Sequence, residues 1–176
     1  MIRKSELGGI SIPMLSALGT VQTYQPAVRE TILAMGDGTL DKQTLAGTEG
    51  KVSTSISADG TVPPGLTGLA FEDNLLLKCG APRDIVSISN IITIPNLRRS
   101  DTDYEPWGRA FVNDEVKLTT VDNIAGDVVT LVAVAGASAY QVMWYPEFQV
   151  YVTGGISITY NEFTGMTQWQ LEMRQV

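Results

Sequence analysis

The sequence predicts a mainly β protein, an antiparallel β-sandwich or half-barrel with little helix. Three observations support this fold class. The last third of the chain is a series of segments rich in β-branched and aromatic residues, Gly, Pro or Asn separates them, and no segment shows a 3.6-residue apolar repeat long enough for a helix. The four segments are Asp127–Ala135, Ser138–Tyr145, Phe148–Tyr160 and Thr167–Val176. Their close spacing predicts one sheet of adjacent antiparallel strands.

Residues 1–27 are predicted to form an extended N-terminal arm, and residues 28–176 a single β domain. The arm is rich in Gly, Ser, Thr and Pro. Two basic residues precede a mildly apolar stretch, as they do in a signal peptide, but Glu6 and Pro13 interrupt that stretch. The arm is therefore favoured over a signal peptide.

The segment Val28–Met35 has a periodicity that fits either a helix or a strand. A Gly-Asp-Gly turn at Gly36–Gly38 follows it, and Lys51–Ala58 is a Ser/Thr-rich strand with Val52 and Ile56 on one face. Because a turn between extended runs makes a hairpin, Val28–Met35 is predicted to be a strand.

The middle of the chain alternates between loop and strand. Asp59–Leu69 is predicted to be a loop, since Pro63 and Pro64 lack backbone donors. The short apolar run Leu75–Leu77 is predicted to be a buried strand, and the isoleucine-rich Ile85–Ile94 a strand throughout. The best candidates for a few helical turns are Pro26–Glu30 and Gly65–Leu69.

A charged, irregular passage is predicted to form an exposed loop at about 95–107. After it, Arg109–Val112 and Val116–Thr119 are predicted strands joined by a turn at Asn113–Asp114. Asn161–Gly165 is predicted to be the turn of a terminal hairpin, with a glycine that accepts positive φ.

Composition argues against catalysis and metal binding. The chain has no histidine and one cysteine, Cys79, so a catalytic Cys–His pair and a zinc site both lack residues. Cys79 is expected to be a buried small hydrophobe. Two Asp-Gly-Thr sequences, at Asp37 and Asp59, are expected to be turns because calcium-loop spacing is absent. Asp73, Glu115 and Glu162 offer carboxylate pairs for glycoside hydrolysis only by chance. We expect no enzyme activity and no cofactor.

The formal net charge of −7 argues against general nucleic-acid binding, which needs basic residues against the phosphates. No apolar run reaches the roughly 18 residues of a membrane helix. No membrane partner is expected.

Charged side chains crowd the predicted loop at 95–107. They are Arg98, Arg99, Asp101, Asp103 and Glu105. One interpretation is a salt-bridging contact with a neighbouring subunit; the other is a solvated loop, in which exposed pairs contribute under about 1 kcal/mol.

Aromatic side chains offer a second kind of contact. Alternation places Trp144 and Tyr145 on opposite faces of a strand, so one can fill the core while the other meets a subunit neighbour, or both can be covered within one sandwich. Tyr104, Trp107 and Tyr145 can alternatively form a sugar-binding platform. All three join the charged residues of the loop as candidates for subunit contact.

The chain resembles the virion structural proteins of tailed bacteriophages that have the tail-tube fold. The resemblance is compositional and covers most of the chain from Arg29 onward. It is carried by Arg29–Thr39 (RETILAMGDGT), the Ser/Thr strand that runs into DGTVPPGLTGL, Leu75–Arg83 (LLLKCGAPR), Thr130–Phe148 (TLVAVAGASAYQVMWYPEF) and the terminal TQWQLEMRQV.

The resemblance implies a subunit whose sheets join those of its neighbours into a ring, commonly a hexamer, with rings stacking into a tube for DNA passage. It implies three kinds of partner: other copies of the chain, neighbouring tail proteins, and DNA that passes without specific binding. It also implies a virion location after assembly in the host cytoplasm. Terminator, distal-tail and baseplate rings remain alternatives, as does a monomeric β-sandwich module that binds a carbohydrate or a receptor.

Overall fold

The computed structural model describes residues 4–12, 18–27, 30–44, 50–63, 65–95 and 97–176. Within these ranges the chain is mainly β, with several antiparallel sheets and only two short 3₁₀ turns, at Leu66–Gly68 and Thr102–Tyr104. The predicted fold class is therefore confirmed. The chain divides into two compact units, and each combines two separate stretches of sequence. The first unit is Met1–Ser11 with Leu76–Phe148; the second is Ile12–Leu75 with Gln149–Val176.

The first unit holds most of the short strands. They are β1 (Ser5–Leu7), β2 (Ile10–Ile12), β7 (Leu75–Lys78), β8 (Arg83–Ser87), β9 (Ile91–Thr93), β10 (Trp107–Val112), β11 (Glu115–Thr119), β12 (Val121–Ala125), β13 (Val128–Leu131) and β14 (Ala139–Trp144). Strands β11-β10-β14-β8 form a four-stranded sheet, β12-β13-β9 a three-stranded sheet, and β1 lies between β2 and β7.

The four-stranded and three-stranded sheets of this unit share one apolar core. Every second side chain along these strands points into this core, as expected where each sheet buries one face. The core residues are Ile92, Ile94, Ala110, Val129, Leu131, Tyr140, Val142 and Trp144. This unit is sandwich-like.

Gly108 allows the two sheets to approach each other. A Cβ added there would lie 2.4 Å from Cδ2 and 2.6 Å from Cδ1 of Leu131, a residue that is itself buried. Because the interior is close-packed, a larger residue at position 108 would force the side chain of Leu131 to shift.

The isoleucine-rich segment Ile85–Ile94 was predicted to be one strand, and this was wrong. It contains β8 and β9, which belong to different sheets and are separated by a bend at residues 88–90. Two serine hydroxyls support the bend: Ser87 Oγ accepts from Ser89 N, and Ser89 Oγ accepts from Ile91 N, each at 3.1 Å. Local hydrogen bonds of this kind compete with the hydrogen bonds between strands that would otherwise continue the strand.

The prediction of one sheet of adjacent strands for the last third was also wrong. Strands β13 and β14 lie in different sheets, and a hairpin partner of β13 that the sequence did not reveal, β12, precedes it. Only the last two predicted strands are neighbours. The predicted β10–β11 hairpin is confirmed, with positive φ at both Asn113 and Asp114 of its turn.

The second unit contains β3 (Leu18–Pro26), β4 (Glu30–Ala34), β5 (Leu40–Thr44), β6 (Val52–Asp59), β15 (Glu147–Asn161, apart from its first two residues) and β16 (Met166–Gln175). Strands β15-β16-β6-β3 are neighbours in this order, and β4 and β5 pair with each other. The predicted strand at Val28–Met35 is confirmed by β4; residues 28 and 29 lie outside the described residues.

One face of β6 and β16 is buried and the other is polar. Val52 and Ile56 lie on one face, as predicted, and both are buried; Ile56 is paired across the strands with buried Leu171. The opposite face presents Ser, Thr, Gln and a few charged side chains. This alternation is typical of an antiparallel sheet with one face on a core.

The described part of the predicted N-terminal arm is not a separate extension, because its strands pair with strands from later in the chain. β1 pairs with β7, and β3 pairs with β6 along most of its length, so both contribute to sheets. Backbone ladder bonds account for the difference, because an extended segment with alternating residues satisfies its polar groups best by pairing. None of the described helical turns is long and apolar enough to cross a membrane.

Candidate assembly surfaces

Arg99 is the centre of a cluster within the first unit. The loop at 95–107 was predicted to be exposed, yet Arg99 is only 5% exposed. Its backbone N–H donates to Tyr145 O at 2.8 Å, and its Nη1 donates to Lys4 O at 2.7 Å and Cys79 O at 3.1 Å. These hydrogen bonds replace the ones that the guanidinium would make to water if it were exposed. For Arg99 the prediction of exposure was therefore wrong.

Asp101 completes the charge balance of this cluster. Its Oδ2 lies 2.8 Å from both Nε and Nη2 of Arg99, and its Oδ1 lies 3.4 Å from Lys78 Nζ. The hydrogen bond from Arg99 holds the pKa of Asp101 below its ordinary value; partial desolvation opposes this shift, and the charge of Arg99 and the bond from Lys78 add to it.

Tyr104 ties the same cluster to the N-terminal segment. Its hydroxyl accepts from Lys4 N at 2.8 Å and donates to Lys4 O at 3.0 Å, and Arg99 Cζ lies 3.4 Å from the centre of its ring. Tyr104 meets Tyr145 edge to face at 5.1 Å, and Trp107 lies 5.3 Å from Tyr145. Five of the eight predicted contact residues thus meet within one chain.

The remaining contact candidates lie around this cluster. Arg98 is half-buried in a bridge to Pro146, whereas Asp103 and Glu105 are exposed. Trp144 and Tyr145 are both buried, which agrees with the interpretation that both faces are covered within the chain. A sugar platform that uses Tyr145 is disfavoured, since that ring packs against Tyr104 and Trp107. Subunit contact through these residues stays a prediction.

The β4–β5 hairpin is the first of three apolar surfaces that the sequence did not single out. Its side chains alternate between two faces, and each face carries two large apolar side chains: Ile32 and Leu40 on one, Leu33 and Met35 on the other. All four are exposed, Ile32 by 63% and Leu40 by 72%. Two hydrogen bonds hold the turn in place: Asp37 Oδ1 accepts from both the backbone N and the hydroxyl of Thr39.

The second apolar surface is the outer face of the four-stranded sheet. Since Ala110 and Val142 point into the core, their neighbours in each strand point away from it. The outer face consists of Val86, Trp107, Arg109, Phe111, Val116, Leu118, Gln141 and Met143, with Ala139 and Asp84 at its margins. Met143 is buried, so the exposed apolar part lies towards β11. Leu118 is 80% exposed, and Arg109 lies directly across from it. An antiparallel sheet that faces water normally carries polar residues here.

The tip of the β15–β16 hairpin is the third apolar surface. Ile158, Tyr160 and Met166 are exposed, and Phe163 in the turn is 98% exposed. The predicted turn is confirmed: Asn161 Oδ1 accepts from the backbone N of the second and third residues after it, and Gly165 has a φ of +66°. Together these four side chains form an exposed apolar patch on an ordered turn, and such patches mark contact surfaces.

The polar face of the second unit contains a shallow depression of about 300 Å³. Most of its lining residues carry hydroxyl, carboxamide or carboxylate groups. The lining residues are Val21, Ser57, Ala58, Asp59, Ser157, Thr159, Gln168, Trp169 and Gln170. Among the described residues no group of three or more His, Cys, Asp or Glu side chains can hold a metal ion. Cys79 is buried, as predicted.

The predicted contact residues were chosen for charge and aromaticity on a loop. The β4–β5 hairpin carries a different signal, namely apolar residues on both faces of one strand, as in Ile32-Leu33 of β4. No protein-family model matches the chain, and no curated protein sequence matches it.

Proposed function

We propose that this protein is a self-assembling structural subunit without enzyme activity, a ring-forming component of a bacteriophage tail tube. The observation that carries the proposal is the β4–β5 hairpin. An isolated two-stranded hairpin is at best marginally stable in water. This hairpin also exposes four large apolar side chains, two on each face. A partner that covers both faces would account for them.

The sheet edges support the same proposal. Strand β11 is the last strand of the four-stranded sheet, and two of its side chains, Val116 and Leu118, are exposed. Glu115 and Lys117 place charges on this strand, which limits indiscriminate pairing at such an edge, but they leave the apolar pair uncovered. Pairing between copies would protect this edge, and repeated pairing with a constant rotation would close a ring.

The charge distribution fits the passage of DNA without binding. The chain carries a net charge of −7, and the polar face of the second unit consists mainly of hydroxyl and carboxamide side chains. Such a surface offers few cations to phosphates. The resemblance to tail-tube proteins favours a tail tube as the type of assembly. A terminator, distal-tail or baseplate ring would use the same surfaces.

The test is the mass of the purified protein, measured by light scattering over a range of concentrations together with electron microscopy. We expect rings or tubes whose mass is a multiple of 19.0 kDa. The double substitution Ile32→Ser, Leu33→Ser should reduce assembly at least tenfold, because it removes one apolar side chain from each face of the hairpin.

A matched control replaces Leu97 and Tyr151, which are also exposed apolar side chains but lie outside the hairpin. The substitutions Leu97→Ser, Tyr151→Ser should leave the mass unchanged. A wild-type protein that stays at 19.0 kDa at every concentration would contradict the proposal and favour the monomeric binding module.

A further inference from the structure

Two of the apolar surfaces carry the same arrangement of side chains with opposite charges. On the hairpin, Leu33 pairs across the strands with Asp41, and Met35 follows two residues after Leu33. On the outer face, Leu118 pairs across the strands with Arg109. Val116, two residues before Leu118, completes the second set.

The spacing within the two sets matches because both are built on antiparallel strands. Side chains two residues apart on one face are separated by roughly 6.5–7 Å, and side chains of a directly paired couple by about 4.5–5.5 Å. Each set is therefore a triangle of two aliphatic groups and one charge. Because a face-to-face contact presents one triangle to the other in mirror image, the aliphatic pairs match with Leu33 against Val116 and Met35 against Leu118. Asp41 and Arg109 then lie on the same side, about two residues apart along the strands, a distance that the long side chain of Arg109 can span.

The charges complement each other. Arg109 is exposed, and it has no ion-pair partner within the part of the chain that the structure describes. Asp41 accepts a hydrogen bond on Oδ2 from Gln43 Nε2 at 3.3 Å, which leaves Oδ1 available. The other charge next to the outer face, Asp84, is engaged by Gln141 Nε2 at 2.8 Å. Arg109 is thus the cation that an incoming carboxylate would meet.

We propose that the hairpin of one copy docks on the outer face of the next copy, with Met35 against Leu118, Leu33 against Val116, and Asp41 within reach of the Arg109 guanidinium. This inference rests on the proposed function, because it names the two surfaces through which the copies join. The contact is heterologous: each copy offers a hairpin to one neighbour and an outer face to another. Such contacts repeat, and they produce rings or tubes rather than closed pairs.

The test is a charge swap, followed by the dissociation constant between subunits. Asp41→Arg and Arg109→Asp should each raise this constant at least tenfold, because like charges then face each other across the contact. The double variant Asp41→Arg, Arg109→Asp should return to within about threefold of the wild-type value, since attraction is restored with its polarity reversed.

Mixing the two single variants gives an independent measurement. Neither variant should assemble alone, but an equimolar mixture should assemble with alternating subunits. The matched controls are Lys117→Asp, on the opposite face of β11, and Asp73→Arg, in an exposed turn; both should assemble as the wild type does.

The outcomes separate this inference from the proposed function. If the wild type assembles and the single variants assemble equally well, the docking inference is overturned while the proposed function stands. If the single variants fail but neither the double variant nor the mixture recovers, the two patches meet other partners and the inference is again overturned. If the wild type itself remains a monomer, the proposed function fails as well.

Discussion

Arg99 shows how one side chain can reverse the expectation for its surroundings. It lies in a charged loop that was predicted to be exposed, yet it is buried. The guanidinium has five donors in a fixed planar geometry, so a single Arg can satisfy several carbonyl oxygens at once. Here it binds Lys4 O, Cys79 O and Asp101 together.

The ion pair of Asp101 predicts a dependence of stability on pH. Because the pKa of Asp101 is lower in the folded chain than in the unfolded chain, its ionised form stabilises the fold fully above about pH 4. This contribution is lost as the pH falls through the lowered pKa. Asp101→Asn should remove it and cost about 1 kcal/mol at neutral pH, since Arg99 loses a carboxylate that is 36% exposed and partly screened by water.

Urea unfolding between about pH 2.5 and pH 7 measures this effect. The free energy of unfolding of the wild type should fall more steeply below pH 4 than that of Asp101→Asn. The control is Asp103→Asn, which changes an exposed carboxylate two residues away. Parallel pH profiles for the wild type and Asp101→Asn would show that the Arg99 pair does not stabilise the fold.

At the scale of the elements, β10 and β13 are held close together by a missing side chain. Gly108 lies where a Cβ would be 2.4 Å from Cδ2 of the buried Leu131. Gly108→Ala should therefore destabilise the chain by about 1–3 kcal/mol through overpacking, although alanine is ordinarily the better residue in regular structure. Thermal or urea unfolding gives the value.

The matched control for this substitution is Gly68→Ala. The space around a Cβ at Gly68 is empty to 4 Å, so the change should lie within about ±0.5 kcal/mol of the wild type. If Gly108→Ala were as stable as that control, the two sheets would have to pack more loosely than the structure shows.

The isoleucine-rich segment illustrates why elements were predicted better than their partners. Its β propensity correctly predicted extended structure at β8 and β9. The bend between them depends on serine hydroxyls that satisfy local backbone donors and on Asn90, whose Nδ2 donates to Leu131 O at 2.8 Å. The latter bond spans 41 residues, so no local pattern could reveal it.

At the scale of the whole molecule, charge predicts how the protein meets nucleic acid. With a net charge of −7 the protein should not bind duplex DNA, whereas non-specific binders reach dissociation constants of about 10⁻⁴ to 10⁻⁶ M at physiological salt. Fluorescence anisotropy of a labelled duplex at low salt tests this expectation. A basic DNA-binding domain serves as the positive control, and a salt-dependent rise in anisotropy with this protein would contradict the charge argument.

The candidate surfaces also depend on the whole molecule. The sequence predicted contacts through the loop at 95–107 because charge and aromaticity are visible there. It did not indicate the hairpin or the outer face, because an apolar residue in a strand is usually a core residue. Whether Leu33 or Leu118 is covered depends on which elements pack against its strand.

Local residue chemistry alone determined many of the strands, the turns at Asn113–Asp114 and Asn161–Gly165, the burial of Cys79 and the acidic balance. These features depend on backbone preference, alternation and charge, which act over a few residues. Only the tertiary structure decided which strands pair, why Arg99 is buried and which apolar faces remain exposed. Those outcomes depend on contacts between residues far apart in sequence, and the free energy of such contacts is not contained in any short segment.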